Sequence, residues 1–104
     1  MTNKECCIVL TTTSDEEVAK LIAEGLIESD LAACVQVDRV QSFYKYENEC
    51  RRDDEFRLTI KAKSDNYKDI EDLIKLRHNY RLPQIIKLEI RDGLPEYIQW
   101  IHGK

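Results

Sequence analysis

The predicted elements follow the order β-α-β-β-α-β and end with a short helix. This order is typical of the split βαβ, ferredoxin-like α+β fold. Two segments carry apolar residues at helical spacing, and four carry alternating or continuous apolar and β-branched residues. The chain also contains only three Gly and two Pro, which leaves little material for long loops. We therefore expect a single domain over residues 1–104, with an antiparallel sheet and two helices on one of its faces.

The first strand and the first helix are predicted within residues 6–29. Residues 6–12 are apolar and β-branched, as in a buried strand. Ser14-Asp15-Glu16-Glu17 matches the capping box that marks the start of a helix. Apolar residues then recur three and four apart, so the helix should bury one stripe and end near Ser29.

The next two strands are predicted at residues 31–46 and 55–63, joined by a polar turn over residues 47–54. In the first of these strands, the apolar residues change from odd to even positions. A change of phase within a strand predicts a bulge or bend, here near residues 38–41. The second strand alternates regularly, which places its even-numbered apolar residues toward the helices and Lys61 on the opposite face.

The remaining elements are a helix, a strand and a terminal helix. Ser64-Asp65 is predicted to cap the second helix, which extends to Arg77. Residues 84–91 alternate and predict the fourth strand. Residues 94–102 predict a short helix with Pro95 in its first turn.

One face of this sheet and the long hairpin over residues 31–63 have no predicted cover. Exposed sheet faces and free strand edges favour association, since they present apolar surface and unpaired backbone groups. Closed symmetry is the usual outcome, so the sequence predicts a homo-oligomer.

The charge balance argues against nucleic acid and against an anionic membrane as partners. The chain has 16 Lys and Arg against 20 Asp and Glu, a net charge of −4. Binding to phosphates depends on cationic surface. The first predicted strand also lacks an aromatic residue on which RNA bases could stack.

The amino-terminal pattern and the cysteines predict a compartment. The apolar run over residues 6–10 is too short for a signal peptide or a membrane-spanning helix. Cys6 and Cys7 are adjacent and would point to opposite faces of a strand. We therefore expect reduced thiols and a cytoplasmic protein.

Metal and catalytic motifs are sparse. A zinc or copper centre needs three or four converging nitrogen or sulfur ligands, and the sequence has no CxxC, HxxxH or HExxH. The alternative for Cys34 and His78 is structural, as a small buried side chain and a hydrogen-bonded loop residue. Cys34 with His78 lacks a third orienting group for thiolate catalysis. The loop that follows the first strand has no Arg for acylphosphatase chemistry, so we predict no enzymatic activity.

A polar pocket is predicted from strand and loop positions. A lysine, an acid and two phenols could hold a small polar or anionic ligand. The alternative is a structural network, with Lys61 and Glu55 as an ion pair and the aromatic residues as interface contacts. The candidate ligand-binding residues are Cys34, Tyr44, Glu55, Lys61, His78, Tyr80 and Trp100.

Five stretches stand out in combination and in a fixed order. They are Leu31-Ala32-Ala33-Cys34-Val35, Ser42-Phe43-Tyr44, Glu55 leading into Leu58-Thr59-Ile60-Lys61, His78-Asn79-Tyr80, and Tyr97-Ile98-Gln99-Trp100-Ile101. Together they resemble the CutA family of divalent-cation tolerance proteins. The resemblance implies a ferredoxin-like protomer in a homotrimer similar to PII signalling proteins. It also implies a small pocket between protomers, no established reaction, and a link to tolerance of copper and other divalent ions.

The chain departs from the family pattern near the pocket. The family's His-Pro-Tyr-Glu is His78-Asn79-Tyr80-Arg81 here, and Thr11 and Arg77 replace a Cys and a His of some bacterial members. We therefore expect no obligatory cofactor, and at most a weakly bound divalent ion such as copper, with His78 as its candidate ligand. The alternative function is a PII-like regulator that binds a metabolite at the intersubunit cleft and acts on a protein partner.

Overall fold

The structure is a computed structural model that describes residues 5–103. A four-stranded antiparallel sheet with the order β2-β3-β1-β4 forms its centre. This order confirms the predicted ferredoxin-like α+β fold. Along the chain the elements are β1 (Cys6–Thr13), α1 (Glu16–Glu28), β2 (Cys34–Tyr46), β3 (Glu49–Lys63), a 3₁₀ turn (Ser64–Asn66), α2 (Tyr67–Arg77), β4 (Ile86–Ile90) and α3 (Pro95–His102).

The hydrophobic core lies between one face of the sheet and helices α1 and α2. We call this the helix face and the other side the open face. The open face carries the even-numbered residues of β1, β2 and β4 and the odd-numbered residues of β3. As the alternation predicts, Leu58, Ile60 and Ala62 of β3 are buried on the helix face. Leu58 and Ile60 each contribute about 1.5–3 kcal/mol by this burial, and the smaller Ala62 contributes less. They pack against Cys7, Val9, Ala19, Ile22, Leu26, Ile70 and Ile74.

The caps of α1 and α2 differ from the predicted ones. Asp15, rather than Ser14, is the N-cap of α1, and its Oδ1 accepts hydrogen bonds from two backbone N–H groups at 2.8 and 3.4 Å. Ser64 does not cap α2, because its hydroxyl donates to Glu89 Oε1 at 2.9 Å. Ser64 instead begins the 3₁₀ turn, and α2 starts at Tyr67.

The β2–β3 hairpin is longer and more regular than predicted. All 13 residues of β2 pair one to one with β3, so the bulge predicted near residues 38–41 is absent. The turn consists of Glu47 and Asn48, whose φ angles are 52° and 64°. Two positive φ angles in a two-residue turn match the twist of a hairpin. The change of apolar residues from odd to even positions in β2 has another cause. The turn end of the hairpin lies beyond α1 and α2, so no core there selects the face on which apolar residues occur.

Helix α3 covers part of the open face, which the sequence led us to expect to be bare. Ile101 of α3 is only 4% exposed, and the Cys6 thiol of β1 lies 3.7 Å from the carbonyl oxygen of Ile98. Apolar surface remains on this side, since Ile86, Leu88 and Trp100 are 45%, 47% and 55% exposed. Among residues 5–103, no helix combines the length and apolar character needed to cross a bilayer.

Candidate functional site

An open cavity of about 950 Å³ lies where the hairpin meets the end of β1 and the loop between α2 and β4. Its wall combines carboxylates with aromatic rings. Three of the predicted site residues, Tyr44, Glu55 and Tyr80, line it together. The structure therefore brings three of the seven predicted residues together within one protomer, and their role in binding a ligand stays a prediction.

Glu55 is the centre of the cavity wall. Its Oε1 accepts a hydrogen bond from Ser42 Oγ at 2.5 Å, and its Oε2 accepts one from the Tyr80 hydroxyl at 2.6 Å. Partial burial, followed by the hydrogen bond to Glu55, raises the pKa of Tyr80 above its ordinary value. Glu55 thereby fastens the loop after α2 to the hairpin, and Tyr80 stays a neutral donor.

A second phenol and carboxylate pair lies further along the hairpin. The Tyr44 hydroxyl donates to Asp53 Oδ2 at 2.6 Å, and this hydrogen bond raises the pKa of Tyr44. Both residues are on the open face, like Ser42 and Glu55. Ser42 and Asp53 also line the cavity and were not predicted to do so. Extending the alternation of β3 two positions before Glu55 would have placed Asp53 beside it.

His78 links Tyr80 to the end of β1, because one ring nitrogen bonds Tyr80 and the other bonds Thr12. Nδ1 accepts a hydrogen bond from the Tyr80 backbone N–H at 2.9 Å. A backbone amide can only donate, so Nε2 carries the proton and donates to the carbonyl oxygen of Thr12 at 2.8 Å. The two rings lie 4.8 Å apart. A metal ion could bind His78 only by displacing one of these hydrogen bonds.

The donor set does not fit a dedicated copper centre within one protomer. Within residues 5–103, no three His, Cys, Asp or Glu side chains are grouped to hold one metal ion. Tight copper or zinc sites need that number of ligands. All four cysteines are free thiols, and burial raises the pKa of Cys6 and Cys7.

The other predicted residues form a separate group at the α3 end of the open face. Lys61 Nζ lies 3.2 Å from the Tyr97 hydroxyl and 5.4 Å from the centroid of its ring. Trp100 stacks on Tyr97 with centroids 5.6 Å apart, and Cys34 pairs with Lys61 across the strands. This group does not line the cavity at Glu55.

Lys61 and Glu55 share the open face but not a contact. Six residues of one strand separate them, which corresponds to roughly 20 Å. The structure therefore corrects the alternative of an ion pair between these two residues of one chain. Their convergence at a cleft between two protomers stays a prediction.

The chain is similar to one family of known proteins, in both sequence and structure. The family model described as CutA1 divalent ion tolerance protein matches residues 7–104. A divalent-cation tolerance protein CutA from Thermus thermophilus is 37% identical over 95 residues, which cover 90% of this chain and 92% of that protein. The solved structure of CutA1 from Oryza sativa has a TM-score of 0.91 and 29% identity, and covers 99% of this chain and 95% of the other.

A third relative bears on the compartment. The structure of CutA from Archaeoglobus fulgidus has a TM-score of 0.89 and 32% identity, covers 94% of this chain and 96% of the other, and is described as that of a periplasmic protein. The prediction of a cytoplasmic location is therefore wrong as an inference from the sequence.

The family description names tolerance of divalent ions and no reaction. The family match covers nearly the whole chain, and the solved structures of family members share its fold. This chain belongs to the CutA1 divalent ion tolerance family.

Proposed function

We propose that this protein is a non-enzymatic homotrimer that takes part in tolerance of divalent ions such as copper. In this role it binds metal weakly and a small polar ligand at its carboxylate and phenol cavity. The cavity at Glu55 is the observation that carries the proposal. Its acidic wall attracts cations, but Glu55 and Asp53 already accept hydrogen bonds from hydroxyl groups. Weak metal binding follows, because a cation must compete with these donors.

Surface chemistry supports the oligomer. The exposed side chains of Ile86, Leu88 and Trp100 form apolar surface on the open face, and β2 and β4 are the outer strands of the sheet. Apolar surface and free edges are stabilised by association. The proposed number of three subunits is taken from the resemblance to the CutA family.

Calorimetry with Cu²⁺ and Zn²⁺ on the reduced protein tests the metal part. We expect micromolar or weaker affinity, with little change in His78→Ala, since both ring nitrogens of His78 are already hydrogen-bonded. Nanomolar affinity that disappears in His78→Ala would refute weak binding. Phe43→Ala is the control, because it changes the surface next to the cavity acids but removes no atom that could bind a metal ion.

Light scattering after size exclusion tests the assembly. We expect about three times the protomer mass of 12.3 kDa at micromolar concentration. Trp100→Glu should lower the mass, because an unpaired charge is costly inside an interface. Leu76→Glu is the matched control, since Leu76 of α2 is 82% exposed and outside the apolar open face. A monomeric wild-type protein would contradict the proposal.

A PII-like regulator is the second candidate, and the cavity volume favours it. The two-residue turn at Glu47 and Asn48 opposes it, because it leaves no room for a mobile effector loop between the strands. A thermal-shift screen with metabolites, run on wild type and Lys61→Met, tests this candidate. A metabolite that stabilises only the wild type would support a ligand-binding lysine. Lower stability of Lys61→Met without any ligand would mark Lys61 as structural.

A further inference from the structure

A second cavity lies between α2 and the loop that joins it to β4, and we call it the α2 groove. Its volume of about 420 Å³ is within the range of sites that hold small molecules. Its wall consists of Tyr67, Glu71 and Lys75 of α2 together with residues 80–83 and 85 of the loop. Tyr80 and Leu82 also line the cavity at Glu55, so the loop separates two different sites.

Helix α2 forms one wall of the α2 groove. Tyr67, Glu71 and Lys75 recur every four residues, which places them along one side of the helix. The ring of Tyr67 also faces Lys87, whose Nζ lies 5.6 Å from the ring centroid. Partial burial, followed by the negative charge of Glu71, raises the pKa of Tyr67. The phenol therefore stays neutral near neutral pH and adds no negative charge to the groove.

The charges that line the α2 groove are unbalanced toward cations. Lys75 and Arg81 are exposed, and among residues 5–103 neither has a carboxylate oxygen within 4.0 Å. The carboxylate of Glu71 lies 3.9 Å from Lys68 Nζ, in an ion pair along α2. An anion bound in the groove would therefore make charge-assisted hydrogen bonds with two cations that have no such partner in the described part of the chain.

The loop also supplies apolar surface. Pro83 and Ile85 are half-buried, and Ile85 packs against the hydrophobic core. Leu82 is 89% exposed, so a ligand that covers it removes apolar surface from water. Pro83 restricts the backbone, which lowers the entropy that the loop loses on binding. The groove thus combines apolar surface with two cations.

We infer that the α2 groove binds a small organic acid with an apolar body. The carboxylate of the acid lies on Arg81 and Lys75, and its apolar part covers Leu82 and Pro83. The planar guanidinium of Arg81 can donate two parallel hydrogen bonds to one carboxylate. The apolar surface favours such an acid over an inorganic anion, because phosphate would leave Leu82 in water. This site is separate from the carboxylate and phenol cavity of the proposed function.

The net charge of the chain makes the inference selective. At −4, the protein as a whole repels anions. Binding of an acid therefore requires local cations, and non-specific attraction does not explain it. An organic amine would be attracted by the whole protein but repelled by Lys75 and Arg81.

Titration with phenylacetate tests the inference, since this probe joins one carboxylate to one benzene ring. Backbone amide signals of isotope-labelled protein in NMR spectra report both the affinity and the location of binding. We expect a dissociation constant of about 1 mM, which is consistent with a ligand of so few atoms. The largest shifts should fall on residues 81–85 and on the α2 residues that line the groove.

Substitutions at Arg81 test the role of its charge. Arg81→Glu should weaken phenylacetate binding at least about tenfold, because it places a carboxylate against the carboxylate of the probe. Arg81→Lys keeps the positive charge and should stay within about threefold of the wild-type affinity. Lys20→Glu on α1 is the matched control, since it makes the same change of net charge on exposed helix surface and should leave the affinity unchanged.

Two further probes test the class of ligand. Benzylamine has the same ring with a positive charge, and inorganic phosphate has a negative charge without the ring. Both should bind at least about tenfold more weakly than phenylacetate does. Equal binding of either probe would overturn the assignment to an organic acid.

Three other results would overturn the site itself. They are the absence of shifts at about ten times the expected dissociation constant, shifts that fall away from the α2 groove, and equal affinity of wild type and Arg81→Glu for phenylacetate. None of these results bears on the proposed homotrimer or on weak metal binding, which light scattering and calorimetry test separately.

Discussion

The two ends of the β2–β3 hairpin are held by the same backbone ladder but differ in what covers them. Near β1, Leu58 and Ile60 lie beneath α1 and α2 and are fully buried. At the outer end, Phe43 and Tyr46 are 65% and 55% exposed. Pairing remains one to one along both halves. Backbone pairing and a suitable turn are thus sufficient to extend a strand, while the alternation of apolar side chains follows burial.

Replacing one residue of a cross-strand pair at a time should measure this contrast directly. Leu58 and Val37 face each other on the helix face, but Leu58 is 0% and Val37 is 49% exposed. Leu58→Ala should lower the free energy of unfolding by about 2–5 kcal/mol, because it leaves a cavity in the core. Val37→Ala should cost less than about 1 kcal/mol. Chemical denaturation at one fixed protein concentration gives both values. Equal losses would mean that Val37 is buried by another copy.

These two residues also show where sequence patterns are informative. The alternation in β3 predicted the burial of Leu58 because a helix layer covers that position. In β2, the change of phase after Val37 predicted a bulge that does not exist, because no core acts on the outer hairpin. The identity of the α1 cap was also missed, since Ser14 and Asp15 are both good N-cap residues and the sequence does not rank them.

The candidate site, like the fold, was predictable from the sequence only in part. Glu55, Tyr80 and His78 were identified, because a charged group and polar aromatics stand out at the end of a strand and in a loop. Their partners Ser42 and Asp53 were missed, since the register of the hairpin decides which side chains meet Glu55. Lys61 was grouped with Glu55 from a shared face alone, and the distance along the strand separates them.

The hydrogen bond between Tyr80 and Glu55 joins the loop after α2 to the hairpin and should have the next largest effect. Tyr80→Phe removes the donor and leaves Glu55 with Ser42 alone. We expect a loss of about 1–2 kcal/mol in the free energy of unfolding. Tyr46→Phe is the matched control: Tyr46 is 55% exposed, so its loss of a hydroxyl should be close to neutral. Equal effects from the two variants would argue against a specific link at Tyr80.

The same tyrosine predicts the alkaline behaviour of this end of the molecule. The pKa of Tyr80 is raised in the folded state, by burial and then by its hydrogen bond to Glu55. The associated stability is therefore fully present below the pKa of tyrosine in the unfolded chain, and it is lost as the pH rises through the folded-state value. Wild type should lose stability above pH 10 more steeply than Tyr80→Phe does. Parallel pH profiles for the two proteins would contradict this assignment.

The turn tests whether local geometry alone can hold the uncovered end. Glu47 has φ of 52°, in the left-handed region that favours Asn over Glu. Glu47→Asn should therefore raise the free energy of unfolding by about 0.5 kcal/mol, and Glu47→Val should lower it by about 1 kcal/mol. Thermal unfolding gives the order of the three proteins. Amide hydrogen exchange along β2 should slow in Glu47→Asn if the turn limits fraying of the hairpin, and an unchanged rate would show that the strands are held elsewhere.

The smallest expected effect belongs to β4, at the covered end, and has the opposite pH dependence. Lys87 Nζ lies 2.9 Å from Glu89 Oε2, and Ser64 donates to Glu89 Oε1. The hydrogen bond from Lys87, followed by that from Ser64, lowers the pKa of Glu89 below its ordinary value. Its contribution is present above the pKa of the unfolded chain and is lost as the pH falls through the lower folded-state value.

Glu89→Gln keeps an acceptor for Ser64 but removes the charge, so it should be less stable than wild type near neutral pH and equal to it in acid. The difference should be slight and should shrink further in salt, since both side chains of the ion pair reach solvent. Unfolding measured from pH 7 down to about pH 3 at low and high salt checks both dependences. A difference in stability between wild type and Glu89→Gln that persists at acidic pH would mean that the Glu89 side chain acts through packing. The loss of stability in acid would then come from carboxylates other than Glu89. The loss of stability above pH 10 would still be assigned to Tyr80, at the hairpin.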